Sequence, residues 1–394
     1  MASGKWVKGR WVITERGSGP YGNVSHIFGT TAKVSYLFWR RFEFTQDREW
    51  LRTRAYPMLK GAAEFYRNHP NVRKEADGKY HIRYANSNES VWGARDTDED
   101  LAAMRGVFGA LLRASELLDA DPGRRPVWKE FLSNLTPLPT TADPDALRPD
   151  GYGGPIVFAR GRKPAVKAGP GILPDQNSLP HWFFDLCNIG SADPALLQLA
   201  NQTFDSFFKD TIDADTPVAV LSKLPIAAAT LGRAEAVRHL IPNQIRTIRP
   251  ERNTAYKNGG VLLNRMTLRE GPQALDAERL GRAAEALHLA LMQSAPPEPG
   301  ADCVIRVFPA WPKDWNARFR MLGRGAFLVD ASFESGVVRT IQIRSLAGAE
   351  CRILNPWGAA RVALSRNGSK SETLEEKILI FPTAKDELIT VTLA

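Results

Sequence analysis

Near residue 300 the hydrophobic period of this chain changes from helical to alternating, and no other feature constrains the fold as strongly. Between Thr97 and Asp119 the apolar residues Leu101, Met104, Val107, Phe108, Leu111, Leu112 and Leu118 recur at three- and four-residue spacing, which is one stripe of a helix. After APPEPGADC the segments CVIRVF, AFLVDASF, VVRTIQIRS, ECRILNP, RVALS, KILIF and LITVTL alternate apolar with polar residues, as half-buried strands do. Blocks of helix followed by blocks of strand bury their apolar faces in separate layers. A chain of 394 residues also exceeds the roughly 250–300 residues at which single cores stop growing. The expected fold is therefore mainly α with a C-terminal all-β domain: a helical region over residues 1–301 and an antiparallel β-domain over residues 302–394.

Within the helical part the periodicity predicts helices over Thr31–Phe44, Asp47–Asn68, Thr97–Asp119, Pro194–Lys209, Pro217–Leu231, Arg233–Ile241 and Asp276–Gln293. Their helix, loop, helix order suggests an α/α toroid whose loops at one end form a cleft. Thr97 and Asp100 resemble a capping box, with Asp in place of the usual Glu or Gln. Ahead of the first helix, KWVKGRWVIT reads as a short β-like run. From Asn134 to Pro180 the chain is dense in Pro and Gly, and irregular loops of that length often line binding sites. The segment FPAWPKDWNARF is expected to pack against the helical part, because Trp is usually largely buried; a carbohydrate platform is the alternative.

The net charge of +9 comes from 52 basic and 43 acidic residues scattered through amphipathic segments, so no basic block reads as a nucleic-acid arm. Cys187, Cys303 and Cys351 fit no metal spacing and are expected to be buried free thiols. No run of about 18 apolar residues reads as a membrane span, and MASGKWVKGRW lacks the apolar stretch of a signal peptide. As written the chain is expected to be cytoplasmic, or exported if an upstream part carries a signal, and the sequons at Asn23, Asn88, Asn134, Asn201 and Asn367 are expected to be chance occurrences.

The run HIRYANSNESVWGARDTDED, His81 to Asp100, is where chemistry concentrates. Glu89 stands between amides from Asn86 and Asn88, with the flat apolar face of Trp92 close by and Gly93 permitting a sharp turn. Amides exchange hydrogen bonds with sugar hydroxyls, an aromatic face covers the C–H side of a pyranose, and a partly desolvated carboxylic acid keeps its proton near neutral pH. An amide-rich acidic loop capping the next helix would have the same composition. Arg95 and Asp96 would shape a sugar pocket, or Arg95 would form a structural ion pair with Asp96 or Asp98. His81 and His26 can each bond a sugar hydroxyl or serve the structure. His181, in LPHWFFDLCN, fits a cleft mouth or a packed core equally.

Several strings together resemble the catalytic region of glycoside hydrolase family 95, the inverting α-L-fucosidases and their α-L-galactosidase relatives. They are FWRRFEFTQDREWLRTRAYPMLKGAAEFY, the NSNES run, AAEALHLALMQS, and VIRVFPAWPKDWNARFRMLGRGAFLVDASF. The resemblance implies an (α/α)6-type barrel, whole or incomplete, followed by an antiparallel β-sandwich. It implies Glu89 as general acid and places Glu278 where the family has its general base, an aspartate followed by glycine and asparagine that this sequence lacks. Asp276 and Glu270 are reserve candidates, and Glu278 also suits a helix start as a carboxylate that complements the dipole. The family's water-positioning asparagine pair and its N-terminal β-domain are not visible here. The implied partner is an oligosaccharide or glycoconjugate; no metal, cofactor, nucleic acid or membrane is expected, and the oligomeric state stays open. Competing readings are a non-catalytic or truncated carbohydrate-binding remnant, another α/α-barrel glycosidase, or a phosphorylase, which would replace the base by an anion site.

Overall fold

The computed structural model describes every residue except 1, 9, 17–26, 88–90, 169–181, 209–210, 219–221 and 247–276. The chain opens with an antiparallel hairpin of β1 (Ala2–Val7) and β2 (Arg10–Arg16), whose register slips between Ser3 and Gly4. Helix α1 (Gly29–Thr45) follows, then α2 (Arg48–Trp50), a π turn over Leu51–Ala55 and α3 (Tyr56–Asn68). The Asp47 carboxylate caps α2 by accepting from the Trp50 backbone N–H at 2.9 Å. Pro57 explains the π turn. It has no N–H and its ring crowds the carbonyl four residues back, and the helix widens there so that the Tyr56 N–H reaches the Leu51 carbonyl.

Two small sheets come next: β3 (Val72–Lys74) with β4 (Tyr80–Ile82), and β5 (Ala85–Ser87) with β6 (Val91–Ala94) and β7 (Lys167–Ala168). Between β6 and β7 lie α4 (Asp98–Leu118), a 3-10 turn over Pro122–Arg124 and α5 (Arg125–Ser133). Asp98, Glu99 and Asp100 occupy the first turn of α4, where a carboxylate offsets the positive helix end only when ionised. Tyr36, Trp39, Leu59, Tyr66, Phe108, Trp128 and Phe131 of α1, α3, α4 and α5 form one apolar core. Gly106 lets Phe184 lie against α4, since a Cβ there would stand 2.7 Å from the Phe184 side chain.

A second core joins α6 (Pro194–Asp205), α7 (Leu224–Thr230), α8 (Ala234–Arg246) and α9 (Ala277–Leu291). Helix α9 stops where β8 (Met292–Ala295) begins, so the MQS of the helical-looking ALHLALMQS is strand. That strand pairs with β9 (Val304–Val307). The remaining strands are β10 (Ala317–Gly323), β11 (Phe327–Glu334), β12 (Val337–Ser345), β13 (Cys351–Leu354), β14 (Val362–Arg366), β15 (Ser369–Leu374), β16 (Ile378–Phe381) and β17 (Leu388–Leu393).

They form a six-stranded sheet in the order β10-β11-β12-β17-β14-β15 and a four-stranded sheet in the order β16-β13-β9-β8. Inward residues of both, among them Ile305, Val329, Ile343, Ile353, Leu364 and Val391, share one core. The domain is antiparallel except where β13 runs parallel to β9 through Ile353 and Ile305. The chain leaves the smaller sheet after β9, builds β10 to β12 in the larger one, and returns beside its starting strand. Cys187 and Cys351 are buried free thiols, whereas Cys303 is only half-buried.

The helical part and the β-domain are locked together. Trp311 packs against both the β core and the α6–α9 core. Arg238 of α8 bonds the Asp314 carboxylate and lies 5.5 Å from the centre of the Trp315 ring. Deeper in, Arg324 donates two hydrogen bonds to Asp185, at 2.7 and 3.0 Å, and stands 3.3 Å from Glu43. The Tyr36 hydroxyl donates to the same Asp185 at 2.9 Å. Burial raises the Asp185 carboxyl, but the charges of Arg324 and Arg40 and the bonds from Arg324 and Tyr36 outweigh it and hold the group below its ordinary value. Glu43, with no such bidentate bond, is pushed up by burial to about 7 despite the nearby Arg324 charge. Among the described residues no helix is long and apolar enough to cross a membrane.

Candidate functional site

The run singled out in the sequence folds as a ribbon at the N-terminal end of α4. Ser87 of β5 pairs with Val91 of β6, so the two strands hold both ends of the three-residue link 88–90. Glu89 is the middle residue of that link and, with Asn88, lies outside the described residues. Asn86 is buried, and its side-chain oxygen accepts the Gly93 N–H at 2.8 Å. Gly93 itself has φ 60°, and a Cβ there would meet Val166 at 2.6 Å, so only glycine fits both the backbone and the space. Trp92 is half-buried and pairs with Lys167 of β7.

The base of the ribbon is cross-linked by Asp96, which is fully buried and takes the left-handed conformation, φ 51°. Its carboxylate compensates for that strain by accepting from the Ile82 N–H at 3.1 Å, facing His81 Nδ1 at 2.8 Å and accepting from Arg162 at 3.2 Å. His81 is also buried, and its Nε2 faces Asp77 at 3.0 Å. Arg95 spans Asp96 at 3.3 Å and Asp145 at 3.2 Å. Arg162 reaches Asp143 at 2.8 Å, and its backbone exchanges hydrogen bonds with Arg95. His81, Arg95 and Asp96 thus come together, turned toward one another and toward the 143–162 loop. Asp143, Asp145 and Arg162 are the partners that the sequence reading missed. They come from the Pro- and Gly-rich loop, and no spacing in the sequence relates them to residue 96.

Of the other candidates, Glu278 stands in the first turn of α9. Asp276, Glu270, His26 and His181 lie outside the described residues. Asp98 is buried behind the ribbon, its N–H donating to the Arg160 carbonyl at 3.1 Å. Among the described residues no group of three or more His, Cys, Asp or Glu side chains could hold a metal ion.

Asp100 adds a titrating group one helical turn from the ribbon. Thr97 does not cap the helix with its hydroxyl; it donates that proton to Asp100 at 2.6 Å. Burial raises the Asp100 carboxyl to about 7, against the Thr97 hydrogen bond and with help from Glu99. The folded protein therefore keeps this proton up to about pH 7, whereas an unfolded chain releases it near pH ~4. Stability falls as the pH rises between those values and is level above them. Asp100→Asn retains an acceptor for Thr97 and carries no charge. Urea unfolding at pH 4.5 and 7.5 should show the variant more stable than the parent only at the higher pH, by on the order of a few kcal/mol. Equal differences at both values would show that Asp100 does not ionise in this range.

Residues 10–145, which include the ribbon, α1, α3 and α4, match the model of the glycosyl hydrolase family 95 catalytic domain. An α-L-rhamnosidase from Dictyoglumus thermophilum is 11% identical, with 94% of this chain and 40% of that chain aligned at a TM-score of 0.50. A Streptomyces avermitilis α-L-rhamnosidase complexed with L-rhamnose is 11% identical over 90% of this chain and 32% of that one, TM-score 0.43. A putative kojibiose phosphorylase from human microbiome is 10% identical over 90% and 49%, TM-score 0.46. The chain thus spans less than half the length of each. No curated protein sequence matches it. At such low identity the Dictyoglumus thermophilum structure speaks for the fold alone. The resemblance to glycoside hydrolase family 95 is shown for residues 10–145, the stretch that holds the ribbon and the helices that carry it.

Proposed function

We propose that this chain is the catalytic part of a glycoside hydrolase that cleaves an α-linked sugar such as α-L-fucose with inversion, its helices forming part of an (α/α)6-type barrel. One observation carries the reading: Glu89 falls in the sequence between β5 and β6, inside the region that matches the family 95 catalytic domain. In this reading protonated Glu89 gives its proton to the glycosidic oxygen as the C1–O bond breaks. Water attacks C1 from the opposite face, and a carboxylate there, Glu278 or a neighbour, takes the water's proton. The product is the hemiacetal of opposite anomeric configuration. The two carboxyls must then stand roughly 6.5–9.5 Å apart to admit the water.

The geometry refines the roles around them. Trp92 remains a candidate sugar contact, with Asn88 beside the acid, whereas Arg95 is engaged by Asp96 and Asp145. Asn86, His81 and Asp96 act as positioning residues, because their polar atoms are engaged in holding the ribbon.

The test is hydrolysis of α-L-fucosyl, α-L-galactosyl and related aryl glycosides, with the first-formed anomer read by proton NMR. Inverted product supports the mechanism; retained product contradicts it. For the base, Glu278→Ala should lose turnover and regain it with azide, giving a glycosyl azide. Unaltered rates without azide product would reject Glu278.

A further inference from the structure

The Pro- and Gly-rich stretch after α5 reaches the base of the ribbon at Arg162, and the backbone there is held on both sides. Arg162 exchanges hydrogen bonds with Arg95 at 3.0 and 2.6 Å. Next to it the Gly161 carbonyl accepts from the Leu147 N–H at 2.9 Å, and the Lys163 N–H donates to the Asp145 carbonyl at 2.7 Å. The Arg162 side chain is buried and spends its guanidinium on three separate segments. Nη1 donates to Asp96 at 3.2 Å, Nε to Asp143 at 2.9 Å and Nη2 to the Pro137 carbonyl at 3.2 Å. A planar fork fixes all three directions at once, which a lysine ammonium cannot do.

Asp96 is the residue on which this brace acts. It stands between β6 and α4, so its backbone sets the angle at which the ribbon joins the helix. Its left-handed conformation, φ 51°, is strained for a residue with a side chain and is held by what the carboxylate meets. Of those partners, His81 and the Ile82 N–H come from β4, and Arg95 belongs to the ribbon and moves with it. Arg162 is the one that ties the carboxylate to the loop. Without it the turn at Asp96 is free to relax, and the ribbon is re-aimed as a whole. Near a reacting centre a displacement of about 1 Å can cost about 100-fold in rate. We propose that Arg162 is a positioning residue for proton transfer from Glu89, acting through Asp96, and that the Pro- and Gly-rich loop serves the site as its brace. The inference rests on the reading of Glu89 as the acid.

The test compares the full chain with Arg162→Lys, Arg162→Ala and Glu89→Gln on the dinitrophenyl and methyl glycosides of one sugar, α-L-fucose or α-L-galactose, whichever the parent cleaves faster. A dinitrophenyl group leaves without a proton and a methoxide does not, so the ratio of the two kcat values reports the acid step. Both rates come from one sample, so the ratio is independent of how much of a variant is folded. Both Arg162 variants should lose about 10–100-fold in kcat on the methyl glycoside and less than about threefold on the dinitrophenyl glycoside, with KM little changed. Free guanidinium at tens of millimolar should restore part of the methyl glycoside rate of Arg162→Ala. The proposal is overturned if Glu89→Gln separates the two substrates while the Arg162 variants lose both rates in equal proportion, or lose neither. If the parent cleaves neither glycoside, or Glu89→Gln fails to separate them, the acid assignment falls first and takes the role of Arg162 with it.

Discussion

Replacing Glu89 with glutamine is expected to slow hydrolysis of a natural oligosaccharide by about 10²–10⁴-fold, the usual worth of a positioned general acid, without unfolding the protein. Glutamine keeps the shape and hydrogen-bonding capacity of the side chain and removes only the transferable proton. The flanking strands are held by the pairing of Ser87 with Val91 and by the bond from Gly93 N–H to Asn86, neither of which involves the residue replaced. Thermal unfolding should therefore be unchanged. The basic limb of the kcat/KM profile, which reports an acid that must stay protonated, should disappear in the variant. Unchanged turnover would remove Glu89 from the acid role.

The second large effect concerns stability. Arg324→Met should destabilise the protein by about 3–5 kcal/mol at neutral pH, the cost of removing one member of a buried ion pair. Arg324 is the cation between Asp185 and Glu43, all three buried. Without it Asp185 retains the Tyr36 hydroxyl and the more distant Arg40, at 4.0 Å. Both carboxyls would then hold their protons to higher pH, so the loss should shrink as the solution is acidified. Replacing Arg324 and Asp185 together by apolar residues should cost less than replacing Arg324 alone. Urea unfolding of the two single variants and the double variant gives the coupling directly. A loss below about 1 kcal/mol for Arg324→Met would mean that the pair is not desolvated.

The division of the chain was legible in its hydrophobic period, because the large apolar residues of α4 recur at helical spacing while β11 buries every second residue. Short elements were not. Helix α5 is nine residues long and sits beside a Pro- and Gly-rich stretch, too short for periodicity to declare it. Strands β3 to β7 have two to four residues each and owe their form to neighbours distant in sequence. The MQS that closes the α9 pattern becomes strand because pairing with β9 outweighs helical propensity. For the candidate site, the composition of residues 81–100 drew attention to the right ribbon but not to which way its side chains turn. Asp96 looked like a sugar contact because it is acidic and near Trp92. It is buried because the left-handed turn at that position directs its carboxylate to the Ile82 N–H and to Arg162, 66 residues away. The Asp185–Arg324 pair, 139 residues apart, had no local signal at all.

The central claim is that Glu89 gives a proton to the departing group, and leaving-group dependence tests it most directly. Aryl and alkyl glycosides of one sugar, ranked by leaving-group pKa, would be hydrolysed by the parent and by Glu89→Gln. A dinitrophenyl leaving group needs no protonation, whereas an alkyl or sugar alcohol does. The account predicts that the variant nearly matches the parent on the dinitrophenyl glycoside and falls by orders of magnitude on the alcohol. An equal loss on both would show that Glu89 does not protonate the leaving group.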